Sequence, residues 1–298
     1  MNTTKVRPER PLKLYGNEVL TPSSSQLVEA DDRLATVFSH FYCLQHDPDA
    51  PVLTQQLLPN YEMLLALNFG PAVSMSLGDK DFVINRTVVL GPLQHLLRYE
   101  LPPGADLIVV NFTLNGFYRL LGRPMHQFRA AEWPNADGVL NPAAFDALWQ
   151  ELARMITLAE RLQHISSYIL THLNAVGESA YTLIDSIPLF SQTVLDPVKA
   201  IAAARGVSAR SIQLHFQTNL GYSAKELTRF LRFKHVLAHL IQQATSTVDW
   251  PGTVEQFGYH DQSHLIRDFR YFLGMTPRRF SQQLQQGAVC VSKAGKFY

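Results

Sequence analysis

The sequence predicts an α+β protein with a β-rich N-terminal domain, a connecting helix and an all-α C-terminal domain. Three patterns support this: short apolar segments separated by turn residues, then a long run with helical periodicity, then two similar pairs of helices. The predicted domains are 1–140, 141–178 and 179–286, with a tail at 287–298. With 298 residues, 46% of them hydrophobic, the chain is long enough for about two packed domains.

The first part of the chain has the pattern of a small antiparallel β domain. Residues 1–30 are polar and predict a loose arm. Strand-like segments rich in Leu, β-branched and aromatic residues then alternate with Gly, Pro and Asp turns, which predicts a barrel or a sandwich. These segments are Tyr61–Phe69, Phe82–Val89, Leu93–Leu101 and Leu107–Leu114.

The interior of this domain is predicted to be aromatic. Such an interior would bind an apolar ligand or form an ordinary core, and the sequence leaves both open. The candidate lining residues are Phe69, Phe82, Tyr99 and Phe112. A short helix from Asn115, its predicted cap, to Leu121 follows, and Gly122 ends it.

The middle of the chain carries a long apolar stripe. Asn141-Pro142 is a helix start, and apolar positions then alternate at spacings of three and four from Phe145 to Leu173. One interpretation is a dimer seam. The other is an amphipathic helix packed on its own β domain, because the flanking positions lack regular opposite charges. The seam would be formed by Leu148, Leu152, Met155, Leu162 and Ile169.

Two stretches near the C-terminus share one pattern. Residues 201–222 and 258–280 each hold a glycine turn, a helix with a predicted cap at Ser208 or Asp261, and a terminal glycine. Each predicts a helix-turn-helix unit whose second helix spans 208–219 or 261–273. A capping box from Ser223 to Glu226 starts a long helix, to about Ala244, that joins the units.

The second helix of the later unit has chemically distinct faces. Leu265, Phe269 and Phe272 form an apolar face, while Ser, His and Arg side chains occupy the rest of the surface. Arg can contact a guanine edge or a phosphate, so this surface suits a DNA major groove. A helical hairpin with a solvated charged face is the alternative. The repetition of the pattern favours the DNA interpretation.

The charge distribution agrees with a nucleic-acid module. Residues 1–195 contain 13 Lys and Arg against 19 Asp and Glu, whereas residues 196–286 contain 11 against 6. A basic third joined to an acidic remainder is typical of a DNA-binding domain attached to a domain of another kind.

Cysteine and histidine usage argues against a metal or disulfide framework. Cys43 and Cys290 are far apart, which favours a reducing, cytoplasmic location, and no segment is apolar enough to span a membrane. The histidines of the β domain show no His-x-His spacing, so we expect neither a metal site nor a cofactor. They are His40, His46, His95 and His126.

Residues 196–284 resemble the DNA-binding domain of the AraC/XylS family of bacterial transcription regulators. The β-rich part is similar in outline to the cupin-like sensor domains of that family. The resemblance rests on Ile201-Ala202, Gly206-Val207-Ser208, Phe216, Gly221-Tyr222-Ser223, Arg232-Phe233, Gly258-Tyr259, Phe269, Gly274 and Thr276-Pro277.

The resemblance implies a set of DNA contacts. The base-reading candidates are Arg210 and Gln213 on the first recognition helix and Ser263 and Arg267 on the second, with Leu214, Gln262 and His264 close to the DNA. Lys225 and Arg270 would hold phosphates. Three departures affect this set: Leu214 replaces a polar residue, Val254 replaces a small one, and Pro188 interrupts a helix.

The resemblance further implies a sequence-specific transcription regulator without catalytic activity. Its two recognition helices would enter successive major grooves, about 34 Å apart. Its expected partners are double-stranded DNA, RNA polymerase, a small-molecule effector of the N-terminal domain and a second copy of the chain. The alternative is a DNA-binding module fused to an enzymatic β-barrel, a cupin oxygenase or an alkyltransferase. The missing His-x-His and the sequences around Cys43 and Cys290 disfavour it.

Overall fold

The computed structural model describes residues 14–15, 23–78, 80–122, 124–128, 142–173, 197–243 and 248–285. The N-terminal part contains ten strands in these ranges. They are β1 Leu14–Tyr15, β2 Ser23–Glu29, β3 Phe38–His46, β4 Leu53–Leu57, β5 Leu64–Asn68, β6 Val73–Leu77, β7 Lys80–Ile84, β8 Thr87–Leu90, β9 Leu97–Leu101 and β10 Asp106–Phe112.

The strands form two antiparallel sheets, which confirms the predicted β domain. One sheet has the order β1-β2-β3-β10-β5-β8 and the other β4-β9-β6-β7. Among the described strands the two sheets are not joined into a closed barrel, so the arrangement is a sandwich with an apolar interior.

The predicted loose arm is wrong for residues 23–29. These residues form β2, which pairs along β3 from Ser23 opposite His46 to Glu29 opposite His40. Backbone pairing with β1 and β3 outweighs the polar Ser-rich composition, because a strand of an antiparallel sheet needs only one apolar face.

The segment predicted as one strand at 82–89 is a change of sheet. The chain pairs with β6 as far as Ile84, turns at residues 85–86, and then pairs with β5 from Thr87 to Leu90. Sequence periodicity does not reveal this change from one sheet to the other, because both strands have the composition of a β-strand.

A short helix, α1 Gly116–Leu121, follows the sheets, and a 3₁₀ turn spans Met125–Phe128. The predicted stop at Gly122 is confirmed, because this glycine adopts a left-handed conformation with φ 65°. The predicted cap is wrong in its chemistry: Asn115 precedes the helix but its side chain makes no capping hydrogen bond.

The long stripe forms two helices instead of one. Helix α2 covers Pro142–Ala153 and helix α3 covers Leu158–His172. Thr157 starts α3 with a capping box to Glu160, which makes a new helix start in the middle of the stripe.

The prediction of a dimer seam is wrong for the side chains proposed. Leu148, Leu152, Leu162 and Ile169 are at most 1% exposed and lie in one core with the six-stranded sheet, and Met155 packs at its margin. The stripe is therefore the alternative interpretation, an apolar face buried within its own chain.

The helical hairpin is part of the N-terminal domain, which corrects its prediction as a separate linker. The indole nitrogen of Trp149 donates to the Asn68 carbonyl at 2.7 Å. Arg161 pairs with Asp106 at 2.9 Å and lies over the ring of Phe69 at 4.1 Å. These contacts join both helices to the ends of β5 and β10.

The C-terminal helices share one apolar core that includes residues of both helix pairs. None of the helices in the described parts of the chain has the length and apolar character that a membrane crossing requires. The helices are α4 Pro197–Arg205, α5 Ala209–Leu220, α6 Ala224–Gln242, α7 Trp250–Gln256, α8 Gln262–Leu273 and α9 Pro277–Gln285.

Candidate nucleic-acid interface

Helices α4 and α5 form the first helix-turn-helix unit. Gly206 takes a left-handed φ of 63° in the turn between them. The Ser208 hydroxyl caps α5 by accepting from the backbone amide of Ser211, and Gly221 ends the helix in a left-handed conformation. The observed α5 begins and ends one residue later than predicted.

Helices α7 and α8 repeat this construction. Asp249 caps α7, Gly258 turns the chain with φ 64°, and Gly274 ends α8. Asp261 caps α8 by accepting from the His264 amide at 2.7 Å, and this hydrogen bond lowers the pKa of Asp261 below its usual value. The predicted caps at Ser208 and Asp261 are thus confirmed.

Helix α6 links the two units and starts where it was predicted. The Ser223 hydroxyl accepts from the Glu226 amide, and the Glu226 carboxylate accepts from the Ser223 amide at 2.6 Å. This capping box satisfies two amides of the first turn. The helix ends at Gln242, close to the predicted end.

The structure places nearly all of the predicted contact residues on the surface. On α5 the exposed set begins in the first turn, and on α8 it follows the cap directly. The exposed residues are Arg210, Gln213, Leu214, Lys225, Gln262, Ser263, Arg267 and Arg270. Leu214 is 51% exposed, which leaves its methyl groups available to a partner.

His264 is the member of the predicted set that is not freely exposed. Its Nε2 accepts from Arg232 at 3.2 Å, and its ring packs edge-on against Tyr259. Burial and the neighbouring Arg232 lower the pKa of His264. The neutral ring therefore contacts Arg232 of α6 and Tyr259, and these contacts help to hold α8 in place.

Asp268 is a structural residue of this interface that the sequence pattern did not indicate. It is fully buried in α8, where it accepts from Arg229 Nε at 2.7 Å and from the Tyr259 hydroxyl at 3.0 Å. Arg232 lies 3.7 Å from the same carboxylate. This cluster ties α6 to α8. The sequence feature that could have indicated this burial is the position of Asp268, three residues after Leu265 on the apolar face of the helix.

The fold accommodates two of the departures from the family pattern, Val254 and Leu214. Val254 is partly buried and packs against the C-terminal core, so its extra bulk is accommodated there. Leu214 makes no break in α5, which runs unbroken through it. Pro188 and the predicted helix around it, like the tail at 287–298, lie outside the described residues.

The N-terminal sandwich encloses a cavity of about 310 Å³ between its sheets. Most of its lining is aliphatic, and residues two apart on one strand line it together, as on β3 and β10. The polar part includes His40 and Asn111, which face each other across the β3–β10 pair. The Ser39 hydroxyl lies 2.8 Å from His40 Nδ1.

The aromatic lining predicted for this interior is correct only for Tyr99. Phe112 lies on the other face of its sheet in the core with the hairpin, and Phe69 stacks on Trp149 there. Phe82 packs at the margin of the inner core. The face on which an aromatic side chain lies depends on strand register, which the sequence does not specify.

The cysteine and histidine side chains do not form a metal site in the described parts of the chain, where no three His, Cys, Asp or Glu residues cluster. Cys43 is buried in the core below the hairpin, and burial raises the pKa of its thiol to about 12. Cys290 lies outside the described residues.

Known proteins resemble this chain in part. A family model described as a helix-turn-helix domain matches residues 201–283. No curated protein sequence matches the chain.

ToxT from Vibrio cholerae O395 is 12% identical, with 82% of this chain and 98% of that chain covered and a TM-score of 0.40. ToxT from V. cholerae strain SCE256, in a structure with bound unsaturated fatty acid, is 10% identical, with coverages of 80% and 96% and a TM-score of 0.39. The AraC-like transcriptional activator CuxR is 10% identical, with coverages of 76% and 87% and a TM-score of 0.29.

The family match spans the geometry described above. It begins in α4 and ends in α9, so it includes both helix pairs, both recognition helices and the joining helix. The order of turns and caps found in the structure is the order on which the predicted resemblance rests. The C-terminal domain of this chain is therefore a helix-turn-helix domain of the AraC type, the DNA-binding domain of transcription regulators.

Proposed function

We propose that this protein is a sequence-specific transcription regulator whose two recognition helices, α5 and α8, enter adjacent major grooves of DNA. The observation that carries the proposal is the repeated unit: two capped helices, each preceded by a left-handed glycine turn and each exposing polar side chains from its first turns. Two units held in one core can present two helices to one face of DNA.

The side chains of each helix suit direct reading of base edges. Arg210 can donate two hydrogen bonds to a guanine and Gln213 can pair with an adenine, while the exposed Leu214 can contact a thymine methyl group. On α8, Arg267 has the same capacity as Arg210, and Ser263 can contact a base or a phosphate. Arg267 Nε is 3.3 Å from the carbonyl of Ser263, so it is anchored along its own helix.

Phosphate contacts would come from the helix starts and the flanking cations. Lys225 is exposed in the first turn of α6, and Arg270 is exposed one turn after Arg267 on α8. Cations in such positions set the orientation of the protein on the duplex without reading sequence.

The cavity of the N-terminal domain is proposed to hold a small-molecule effector. Its aliphatic walls favour an apolar molecule, and the His40–Asn111 pair offers hydrogen bonds to one polar group of that molecule. RNA polymerase and a second copy of the chain remain expected partners. A dimer would have to use a surface other than the buried stripe of α2 and α3.

An alkyltransferase function is disfavoured by the chemistry of Cys43. A transferase nucleophile must be accessible and partly ionised, whereas this thiol is buried and its pKa is raised to about 12. A methyl-transfer assay on alkylated DNA should therefore detect no protein-bound methyl group at Cys43.

The test of the proposal is selection of genomic DNA fragments by the full chain at one fixed salt concentration. Wild type should enrich a motif with two blocks one helical turn apart, and Arg210→Ala/Arg267→Ala should lose it. The control is Arg98→Ala/Arg154→Ala, which removes the same charge from exposed positions of the N-terminal domain. Fixed salt is required because phosphate contacts make affinity strongly salt-dependent.

The outcomes separate specific from general binding. If both double variants lose affinity equally and wild type enriches no motif, the protein binds DNA only through its charge. If the control behaves as wild type and the recognition-helix variant loses the motif, the two helices carry the sequence preference.

A further inference from the structure

Two loops of the N-terminal domain are built into the core of the DNA-binding domain. Residues 58–63 connect β4 to β5, and residues 91–96 connect β8 to β9. Leu58 and Tyr61 from the first loop and Leu96 from the second belong to the same buried cluster as the C-terminal helices. The two domains therefore meet through a packed interface, defined here as the docking interface.

Tyr61 fills the centre of the docking interface. Its ring stacks on Phe230 of α6 with a centroid distance of 4.1 Å and meets Tyr222 edge-on at 4.9 Å. It also packs against Phe272 of α8 at 6.3 Å. Tyr222 lies two residues after the end of α5. The side chain of Tyr61 therefore contacts the segment that follows α5, the last turn of α8 and the helix between the two units.

The second loop completes the C-terminus of recognition helix α8. The last carbonyl groups of a helix have no partner within the helix. Here the Leu96 amide donates to the Phe272 carbonyl at 3.0 Å, and His95 Nδ1 donates to the Tyr271 carbonyl at 2.7 Å. The N-terminal domain thus supplies donors that α8 lacks.

The cavity of the N-terminal domain adjoins both loops. Leu57 and Leu64 stand immediately before and after the first loop, and Leu90 and Leu97 stand immediately before and after the second. All four line the cavity. A molecule that spreads these strand ends would therefore move both loops together, since each loop has only six residues between its two leucines.

The docked arrangement also carries unfavourable features. Tyr61 is a non-glycine residue with φ 55°, a conformation that L residues rarely adopt. The hydroxyl of Tyr222 is buried without a hydrogen-bond partner in the described parts of the chain. The strained backbone of Tyr61 and the unpaired hydroxyl of Tyr222 both destabilise the docked state, in which the two loops pack against the C-terminal helices. The free-energy difference between this state and an undocked state is therefore smaller.

We infer that the docking interface couples the cavity to DNA binding, with Tyr61 as the positioning residue: filling the cavity displaces loops 58–63 and 91–96 and thereby changes how α5 and α8 engage DNA. This inference rests on the proposed function, because it describes how the proposed DNA interface is regulated. Coupling between two sites by a shared two-state contact is reciprocal, so it is measurable from either side.

The test fills the cavity without an identified effector. Ala66 lies in the middle of β5 and lines the cavity, so Ala66→Leu places three more carbon atoms inside it. The first readout is hydrogen exchange of the Leu96 amide, which reports docking through its bond to Phe272. The second is the dissociation constant for a DNA fragment selected by wild type. Both use the full chain.

In the wild-type background, Ala66→Leu should accelerate exchange at Leu96 about tenfold and change the DNA dissociation constant about fivefold or more. In Tyr61→Ala, exchange should already be fast, and adding Ala66→Leu should change DNA affinity less than about twofold. Tyr61→Phe is the matched control, because it keeps the ring, and it should behave as wild type. If Tyr61→Ala does not fold, His95→Ala is the milder variant that weakens docking.

Equal effects of Ala66→Leu on DNA affinity in both backgrounds would overturn the inference. So would an unchanged Leu96 exchange rate after Ala66→Leu. If wild type selects no DNA fragment, the proposed function fails, but the exchange readout still decides whether cavity filling reaches the docking loops. The two failures are therefore distinguishable.

Discussion

The buried carboxylate of Asp268 gives the sharpest prediction for stability. Asp268→Asn keeps the size of the side chain but removes its charge and replaces one acceptor oxygen by an NH₂ donor. In the folded protein the carboxylate accepts from Arg229 Nε at 2.7 Å and from the Tyr259 hydroxyl at 3.0 Å. The amide cannot accept from both in the same geometry, so one donor loses its partner.

The expected loss follows from the exposure of the partners. A hydrogen bond to a charged group contributes about 1.5–3 kcal/mol when it is buried. The side chain of Asp268 is 1% exposed, but those of Arg229 and Arg232 are 37% and 27% exposed, so water can solvate both guanidinium groups. We therefore expect Asp268→Asn to cost about 1–3 kcal/mol, and Asp268→Ala about 2–4 kcal/mol because both donors then lose their acceptor.

The assay is urea unfolding of the full chain with hydrogen exchange resolved on peptides from α6 and α8. Peptide resolution is needed because two domains need not unfold in one step. Glu255→Gln is the matched control, since it converts an exposed carboxylate of α7 to an amide. Tyr259→Phe should cost about 1 kcal/mol by removing one of the two donors.

A free energy of unfolding for Asp268→Asn equal to that of Glu255→Gln would contradict this prediction. An increase in hydrogen exchange that is confined to the N-terminal sheets of Asp268→Asn would contradict it as well. Either result would mean that the carboxylate does not tie α6 to α8.

Four further predictions concern DNA reading, helix capping, burial and assembly. Arg267→Ala should weaken DNA binding by about 1–3 kcal/mol and relax one base position in a binding-site selection; an unchanged motif would contradict it. Asp261→Ala should lower the melting temperature at neutral pH. Since the pKa of Asp261 is lowered in the fold, its contribution is present above the ordinary carboxyl pKa and is lost as pH falls through the folded value, so melting curves of variant and wild type should converge in acid. Burial lowers the pKa of Lys234 to about 8, so between pH 8 and 9.5 the unfolded chain binds more protons and stability should rise with pH. Lys234→Met should lack this rise, and parallel curves for the two proteins would rule it out. Leu152→Ala should cost about 2–5 kcal/mol without changing the sedimentation coefficient, whereas a change from dimer to monomer would restore the seam interpretation.

The local architecture of the DNA-binding domain could be predicted from the amino-acid sequence alone. Helix caps at Ser208, Asp261 and Ser223 and glycine stops at Gly221 and Gly274 are recognised from a few neighbouring residues, and the structure has each of them. Capping and left-handed turns involve atoms within one helical turn, so the residues that cause them are adjacent in the chain. The exposed face of α8 followed from local periodicity in the same way, whereas the contact residues of α5 were implied by the family resemblance.

Which surface each helix and strand packs against became clear only from the three-dimensional fold. The stripe from Phe145 to Ile169 has the same periodicity for a dimer seam as for an internal core, and contact with the sheet settles it. From the sequence alone Asp268 would be taken for a surface charge. In the fold it is buried because Arg229 and the Tyr259 hydroxyl, which both lie outside α8, donate hydrogen bonds to its carboxylate. Tyr61 is predicted from the sequence to lie in a strand, yet it lies in the core of the C-terminal domain. Burial and pairing depend on residues distant in the chain, and local pattern carries no information about those neighbours.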